Sequence, residues 1–158
     1  MQFTLYAVKQ FTTVLLSIHA SQRLAIHQND RGRYAMNEVS SAEEIKKLTA
    51  PIIEKGFSFE YFYEKGGDSS CVYICRFRKG RDFWDWREVS GGNEINIVAY
   101  VNGNYQFPSL QYLYKKEHRA FKLKHLFKKA TVAERRAFVA SLLLNELQKP
   151  DFFGIKLG

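Results

Sequence analysis

The stretch Lys55–Arg78, KGFSFEYFYEKGGDSSCVYICRFR, decides the fold of this chain. On either side of the glycine pair Gly66-Gly67, aromatic and apolar residues occupy every second position. A period of two places alternate side chains on opposite faces of a β-strand, and two such runs with a glycine-rich join are typical of a hairpin. We therefore predict two antiparallel strands at the centre of a sheet.

One face of each predicted strand is almost entirely aromatic or apolar. The opposite face of the first strand is more polar, which is the pattern of a strand with one side in the core. The apolar face carries Phe57, Phe59, Tyr61 and Tyr63 in the first strand and Cys71, Tyr73, Cys75 and Phe77 in the second.

Further strands are predicted before and after this hairpin, from runs of β-branched and aromatic residues. Asn102-Gly103 is the strongest two-residue turn signal in the chain, because a type I′ turn needs positive φ at both central residues. The predicted strands are Phe3–Val8, Thr12–Ala20, Glu94–Val101 and Tyr105–Phe107.

Helices are predicted from capping residues and apolar periodicity. Ser41 with Glu44, and Thr131 with Glu134, match the capping box. Ser21 can cap a helix that begins at Gln22. Pro51 is expected to break the second predicted helix, and Gly56 to end it. Pro108 can open a helical region through Lys129, as one helix or as two that meet near Ala120.

The predicted fold class is α+β: an antiparallel sheet of about five or six strands packed against helices, with a helical, basic C-terminal third. We predict a single domain over residues 1–158. A chain of this length can bury roughly 70% of the surface that it exposes when unfolded, so it needs no disulfide or metal to fold.

The two cysteines indicate a reducing compartment. Cys71 and Cys75 are four positions apart in one predicted strand, about 13 Å at strand rise, which is too far for a disulfide. With no CxxC pair and no signal peptide, we predict a cytoplasmic protein. The apolar run Phe11–Ile18 is far shorter than the ~20 residues that a membrane span requires.

Positive charge is concentrated in one segment, Lys115–Arg136. It holds nine basic residues against Glu117 and Glu134, so it contributes 9 − 2 = +7 of the formal net charge of +8. A field of this kind attracts phosphate polyanions and predicts a nucleic-acid-binding face. A solvated helical surface and a contact with an anionic membrane are the alternatives.

Aromatic residues make up 15% of the chain, which favours either a sheet-rich core or an aromatic binding face. Trp84 and Trp86, with Phe83, lie among arginines, and such a cluster suits both base stacking and the edge of a core. Lys55–Phe62 also resembles the aromatic strand signature of RNA-recognition-motif domains, whose sheet aromatics stack on bases. Glu60 departs from that signature, where an aliphatic residue is expected.

The predicted function is non-enzymatic binding of nucleic acid, DNA or RNA, or assistance to a nucleic-acid complex. A helix-turn-helix whose second helix begins at Thr131 is one way to present arginines to DNA, and a plain helical hairpin is the alternative. The predicted contact residues are Lys115, Lys116, Arg119, Lys122, Lys124, Lys128, Lys129, Arg135, Arg136, Trp84 and Trp86.

Two other functions remain open from the sequence. One is a structural or protein-interaction module, with a homodimer as one form, that uses an exposed sheet edge and the apolar tail residues Phe152, Phe153, Ile155 and Leu157. The other is a metal-dependent nuclease that uses Asp82 and Asp85. We expect no cofactor, metal or catalytic residue, because the four histidines and two cysteines show no ligand or catalytic spacing.

Overall fold

Among the residues that the structure describes, five antiparallel strands pair in the order in which the chain reaches them, so this sheet is a simple meander. The computed structural model of the chain describes residues 40–65 and 71–157. A further two-stranded hairpin lies near the C-terminus. The strands are β1 (Ser58–Lys65), β2 (Cys71–Lys79), β3 (Asp82–Val89), β4 (Glu94–Val101), β5 (Asn104–Gln106), β6 (Asp151–Phe152) and β7 (Ile155–Lys156).

Helices precede and follow the five-stranded sheet, which confirms the predicted α+β class with its antiparallel sheet. A short 3₁₀ turn, Ser90–Gly92, joins β3 to β4. The described residues from Ser41 onward form one compact unit. The helices are α1 (residues 40–48), α2 (Ala50–Glu54), α3 (Leu110–Leu113), α4 (Lys115–Lys124) and α5 (Val132–Glu146).

The strand register places the predicted apolar face on one side of the sheet. Tyr61 lies opposite Cys75, which lies opposite Trp86, which in turn lies opposite Ile97. Directly paired residues of antiparallel strands share a face, so this row runs across four strands on the same side. A second row on that side consists of Phe59, Phe77, Trp84 and Ala99.

That side of the sheet forms the main core together with the helices and the tail. Phe77 and Trp84 stack with ring centroids 4.0 Å apart, and Phe152 lies 5.3 Å from Trp84. Burial of Cys75 raises the pKa of its thiol to about 12, so the group stays protonated at neutral pH. Helix residues that complete the core are Ile45, Ile52, Val139, Ala140, Leu142 and Leu143.

The other side of the sheet carries paired charges. Arg76 donates two hydrogen bonds to the buried carboxylate of Asp85, at 2.7 and 2.9 Å, directly across β2 and β3. The guanidinium of Arg76 lies 3.8 Å from the ring centroid of Phe83. A bidentate pair with a stacked arginine is a strong, geometrically fixed contact, so it holds this face of the sheet in register.

Several local predictions are confirmed. Asn102 and Gly103 have φ of 51° and 84°, as the predicted two-residue turn requires. The Thr131–Glu134 capping box is present, with the Glu134 amide donating to the Thr131 hydroxyl. The helix is interrupted at Thr49, between α1 and α2 and two residues before Pro51. Gly56, with φ of 88°, ends α2.

Two helix predictions were wrong in detail. Ser41 is not a cap, because the helix already includes residue 40, and Glu44 is engaged with another part of the chain. The helical region after Pro108 begins at Leu110 and breaks at Tyr114, not near Ala120. Tyr114 leaves helical geometry with φ of −122° and ψ of 52°, because its side chain is drawn to α5.

Some predictions fall outside the described residues. These are the strands Phe3–Val8 and Thr12–Ala20, the helix from Gln22 and the turn at Gly66-Gly67. The single domain over residues 1–158 therefore stays a prediction. Within the described part of the chain, none of the helices combines the length and apolarity needed to cross a bilayer.

The apolar tail docks on the chain's own core. Phe152 and Ile155 are fully or almost fully buried, and Phe153 is 9% exposed. Phe57 and Phe153 contact the Phe152 ring at centroid distances of 5.8 and 4.8 Å. Self-association through these residues stays a prediction: Phe152, Phe153 and Ile155 are buried against the chain's own core, and Leu157 is half-buried.

Replacing Phe152 with alanine should lower the free energy of unfolding by about 3 to 5 kcal/mol, because it removes a fully buried ring from between Phe57 and Trp84. Urea denaturation would measure the loss. The control is Phe107→Ala, whose ring is 74% exposed and should change stability by less than about 0.5 kcal/mol. Equal losses in the two variants would show that the tail is not part of the core.

Candidate nucleic-acid interface

Tyr114 fixes the junction of α3 and α4 on α5. Its hydroxyl donates to the carboxylate of Glu146 at 2.6 Å, and Lys149 donates to the same oxygen at 2.6 Å. Burial and this hydrogen bond raise the pKa of Tyr114 above its ordinary value. The phenol therefore stays protonated and continues to donate at any physiological pH.

The inner side of α4 packs on Phe138 of α5. The Phe121 ring stacks on Phe138 with centroids 4.2 Å apart, and His118 meets the same ring edge-on at 4.9 Å. Burial and the ammonium of Lys122 lower the pKa of His118, so its imidazole is neutral at pH 7. These contacts fix the rotation of α4 and so determine which residues face outward.

A basic concavity of about 310 Å³ lies along α3 and α4, and His118, which contacts Phe138, is also one of its lining residues. Its lining residues recur at helical spacing, which is why they share one side. The volume is at the low end of the range for ligand sites in proteins. Lining residues of the basic concavity are Gln111, Lys115, His118, Arg119, Lys122, Leu123 and Leu126.

The cations of residues 115–129 are free of internal partners within the described residues. Seven basic residues face a single acid, Glu117, and none of the seven forms an ion pair there. All seven are exposed. By contrast, the strand arginines Arg76, Arg78 and Arg87 each pair with a carboxylate.

Two of these lysines oppose the stability of their own helix. Lys115 and Lys116 occupy the first turn of α4, where the partial positive charge of the helix dipole disfavours cations. Each such placement costs roughly 0.3 to 1 kcal/mol at an exposed site. Lys122 and Lys124 lie in the last turn, where a cation is favourable.

Arg136 belongs to the interior and was wrongly assigned to the binding face. Its guanidinium donates to both carboxylate oxygens of Glu88, at 2.8 and 2.7 Å, and to Glu44. The hydrogen bonds to Glu88 raise the pKa of Arg136 above its already high value. Three of its five N–H donors are bonded to carboxylates and the residue is 7% exposed, so Arg136 is not placed to bind phosphate.

Arg135 is also engaged within the chain. It donates to the side chain and backbone of Asn93 and to the backbone oxygen of Ala130. The predicted helix-turn-helix depended on Arg135 and Arg136 at the start of α5. Because both contact other parts of the chain, α5 does not present them as a recognition helix would.

Trp84 and Trp86 are both fully buried, which corrects the prediction that they stack on bases. Strand alternation places them on the core side of β3, whereas Phe83 lies on the other side beside Arg76. Trp86 donates its indole N–H to Glu88 at 3.0 Å. Neither ring has a surface to offer a base.

Exposed apolar side chains accompany the basic concavity, and the sequence reasoning missed them. Phe127 is 98% exposed and Tyr112 is 79% exposed. Tyr112 follows Gln111, the first lining residue in the sequence, and Phe127 follows Leu126, the last. The lining residues from Gln111 to Leu126 recur every 3 to 4 positions. This helical spacing was the available sequence signal, since it separates the residues on one side of the helices from those on the other.

The two aspartates proposed for metal catalysis do not converge. Asp82 and Asp85 are three positions apart on β3, so they point to opposite faces. Asp82 accepts from the Asn102 amide at 2.9 Å, and Asp85 is held by Arg76. Among the described residues, the structure holds no group of three or more histidine, cysteine, aspartate or glutamate side chains placed to bind a metal ion.

The strand similar to an RNA-recognition motif also uses its aromatics internally. Phe57 is buried, and Phe59 packs against Phe77 with centroids 5.2 Å apart.

None of the protein-family models, curated proteins and solved structures compared with this chain matches it. Its function is therefore inferred from charge and surface geometry.

Changing Arg136 to methionine should lower the free energy of unfolding by about 3 to 5 kcal/mol, because it leaves the Glu88 carboxylate buried without its counter-charge. Adding Glu88→Gln should recover part of the loss. Arg119→Gln, at an exposed site, should change stability by less than about 0.5 kcal/mol. If urea midpoints fell equally for Arg136→Met and Arg119→Gln, the division between interior and binding arginines would be wrong.

Proposed function

We propose that this protein binds nucleic acid without chemistry, alone or as an accessory of a larger nucleic-acid complex, through the surface formed by residues 115–129. The observation that carries the proposal is the set of seven exposed cations without internal ion pairs among the described residues. Phosphate groups are the polyanionic partners that such a field attracts, and release of their counterions drives binding.

The contrast within the chain supports a ligand for these cations. Surface lysines that serve only solubility are usually interspersed with acids. Here carboxylates form ion pairs with the strand arginines, whereas residues 115–129 contain seven cations and a single acid, Glu117. Lys115 and Lys116 also destabilise their own helix through its dipole, and a bound anion would offset that unfavourable interaction.

The shape of the surface favours a chain-like polyanion. Lys115, Arg119 and Lys122 line one concavity, so these three cationic side chains share one side of α4. Clefts lined by one sign of charge focus the electric field and raise the local concentration of the opposite ion. Lys124, Lys128 and Lys129 extend the field beyond the concavity.

We also propose that the protein works in the cytoplasm. The buried thiol of Cys75 supports this, because a reducing compartment preserves free thiols. An interaction module is the alternative function, although three residues of the tail, Phe152, Phe153 and Ile155, are buried in the chain's own core. Its remaining support is the exposed apolar area of Leu113, Leu123 and Leu126.

Replacing Lys115, Arg119 and Lys122 with glutamine should weaken binding to nucleic acid and flatten its salt dependence. Each lost phosphate contact reduces the slope of log K against log salt by about 0.7 on a single strand or 0.9 on a duplex, so the triple variant should lose about 2 to 3 in slope. Fluorescence anisotropy with labelled oligonucleotides at several salt concentrations would measure it.

The matched control replaces Lys47, Arg81 and Lys156, three exposed cations without described ion pairs, and so makes the same change in net charge. It should leave the slope nearly unchanged. An equal loss in both triple variants would mean that only net charge matters. Absence of binding by the wild type at low salt to single strands and duplexes would refute the proposed function.

A further inference from the structure

Two exposed aromatic residues, Tyr112 and Phe127, adjoin the first and last lining residues of the basic concavity in the sequence and have no ring partner. Neither Phe127 nor Tyr112 stacks on another ring or lies under a cation within the described residues. Phe127 is 98% exposed, although burial of such a ring would be favourable by about 25 cal/mol per Å². The Phe127 ring is therefore open to a ligand, and the Tyr112 ring is largely so.

We propose that the ligand is single-stranded nucleic acid, whose bases stack on Phe127 and Tyr112 while its phosphates follow the basic concavity. This inference rests on the proposed function and names its substrate class. A duplex hides the faces of its bases within the helix, so it has phosphates to offer but no ring faces. Single-strand-binding surfaces combine a cationic groove with aromatic platforms, and every base has a face to stack.

The sequence positions of the two aromatic residues fit a nucleic-acid strand that runs along the concavity. Tyr112 adjoins Gln111 at one end of the lining in sequence, and Phe127 adjoins Leu126 at the other. Lys115, Arg119 and Lys122 lie between them on the same side of α4. A backbone placed over these cations can turn a base toward a ring at each end.

The same mixture of lysine and apolar side chains also occurs at membrane surfaces. Geometry favours the nucleic acid. The cations of Lys115, Arg119 and Lys122 line a concavity, which a flat layer of lipid headgroups does not enter but a narrow phosphate backbone does. Binding to an anionic bilayer is therefore the competing outcome of the test.

The test compares Phe127→Ala with wild type for binding to a labelled oligothymidine and to a mixed-sequence duplex of equal length. Loss of one stacked base should weaken single-strand binding about 5- to 150-fold, the factor for about 1 to 3 kcal/mol. The salt slope should stay the same because no charge is removed. Phe127→Trp should retain the affinity, since it keeps an aromatic face.

Phe107→Ala is the matched control, because Phe107 is 74% exposed but lies before α3, in the connection from β5. It should stay within about twofold of wild type. If the charge variants weaken binding but Phe127→Ala does not, the proposed function stands and stacking is wrong. The same conclusion follows if the wild type binds the duplex as tightly as the single strand.

Vesicles of phosphatidylcholine with and without phosphatidylserine complete the test. If the wild type binds only the vesicles that contain phosphatidylserine, loses that binding on Phe127→Ala, and binds no oligonucleotide, both proposals are overturned in favour of a membrane contact. If it binds oligonucleotide in the presence of excess vesicles, the single-strand assignment is supported.

Discussion

The buried carboxylate of Glu88 is the constraint on which the arrangement of helices and sheet depends. A carboxylate that is 2% exposed is stable only with full compensation, and it receives three hydrogen bonds from Trp86 and Arg136. Arg136 also reaches Glu44, so one guanidinium joins α1, β3 and α5. Gly92 leaves the space for this contact, since a Cβ there would lie 2.6 Å from Val132 and 3.3 Å from Glu88.

Once α5 is held on the sheet, it determines how the junction of α3 and α4 docks on its outer side. Phe138 provides the ring on which Phe121 and His118 pack, and Glu146 holds Tyr114. With its inner side occupied, α4 turns its lysines outward. The planar arginine fork suits the fixed carboxylate pairs of the interior, and the proposed function gives the outer lysines a separate task, contact with a mobile phosphate chain.

Local patterns in the sequence were sufficient for most of the fold. Alternation around Tyr61 and Cys75 predicted the core face, and Asn102-Gly103 and Thr131 marked a turn and a helix start, because each depends on neighbours in the chain. The candidate site was predicted only in part. Segregation of lysines is visible in the sequence, but the partners of Arg136 lie 48 and 92 positions away, and the exposure of Phe127 depends on how α4 docks.

Chemical-shift mapping tests most directly whether the surface of residues 111–129 is the binding site. In a titration of isotope-labelled protein with a single-stranded oligonucleotide, the largest amide shifts should fall on α3, α4 and residues 125–129. Amides of β2 and β3 around Trp84 and Trp86 should stay nearly unmoved, because those rings are buried in the core. The largest shifts on the sheet instead, or no shifts at saturating oligonucleotide, would contradict a nucleic-acid interface on α4.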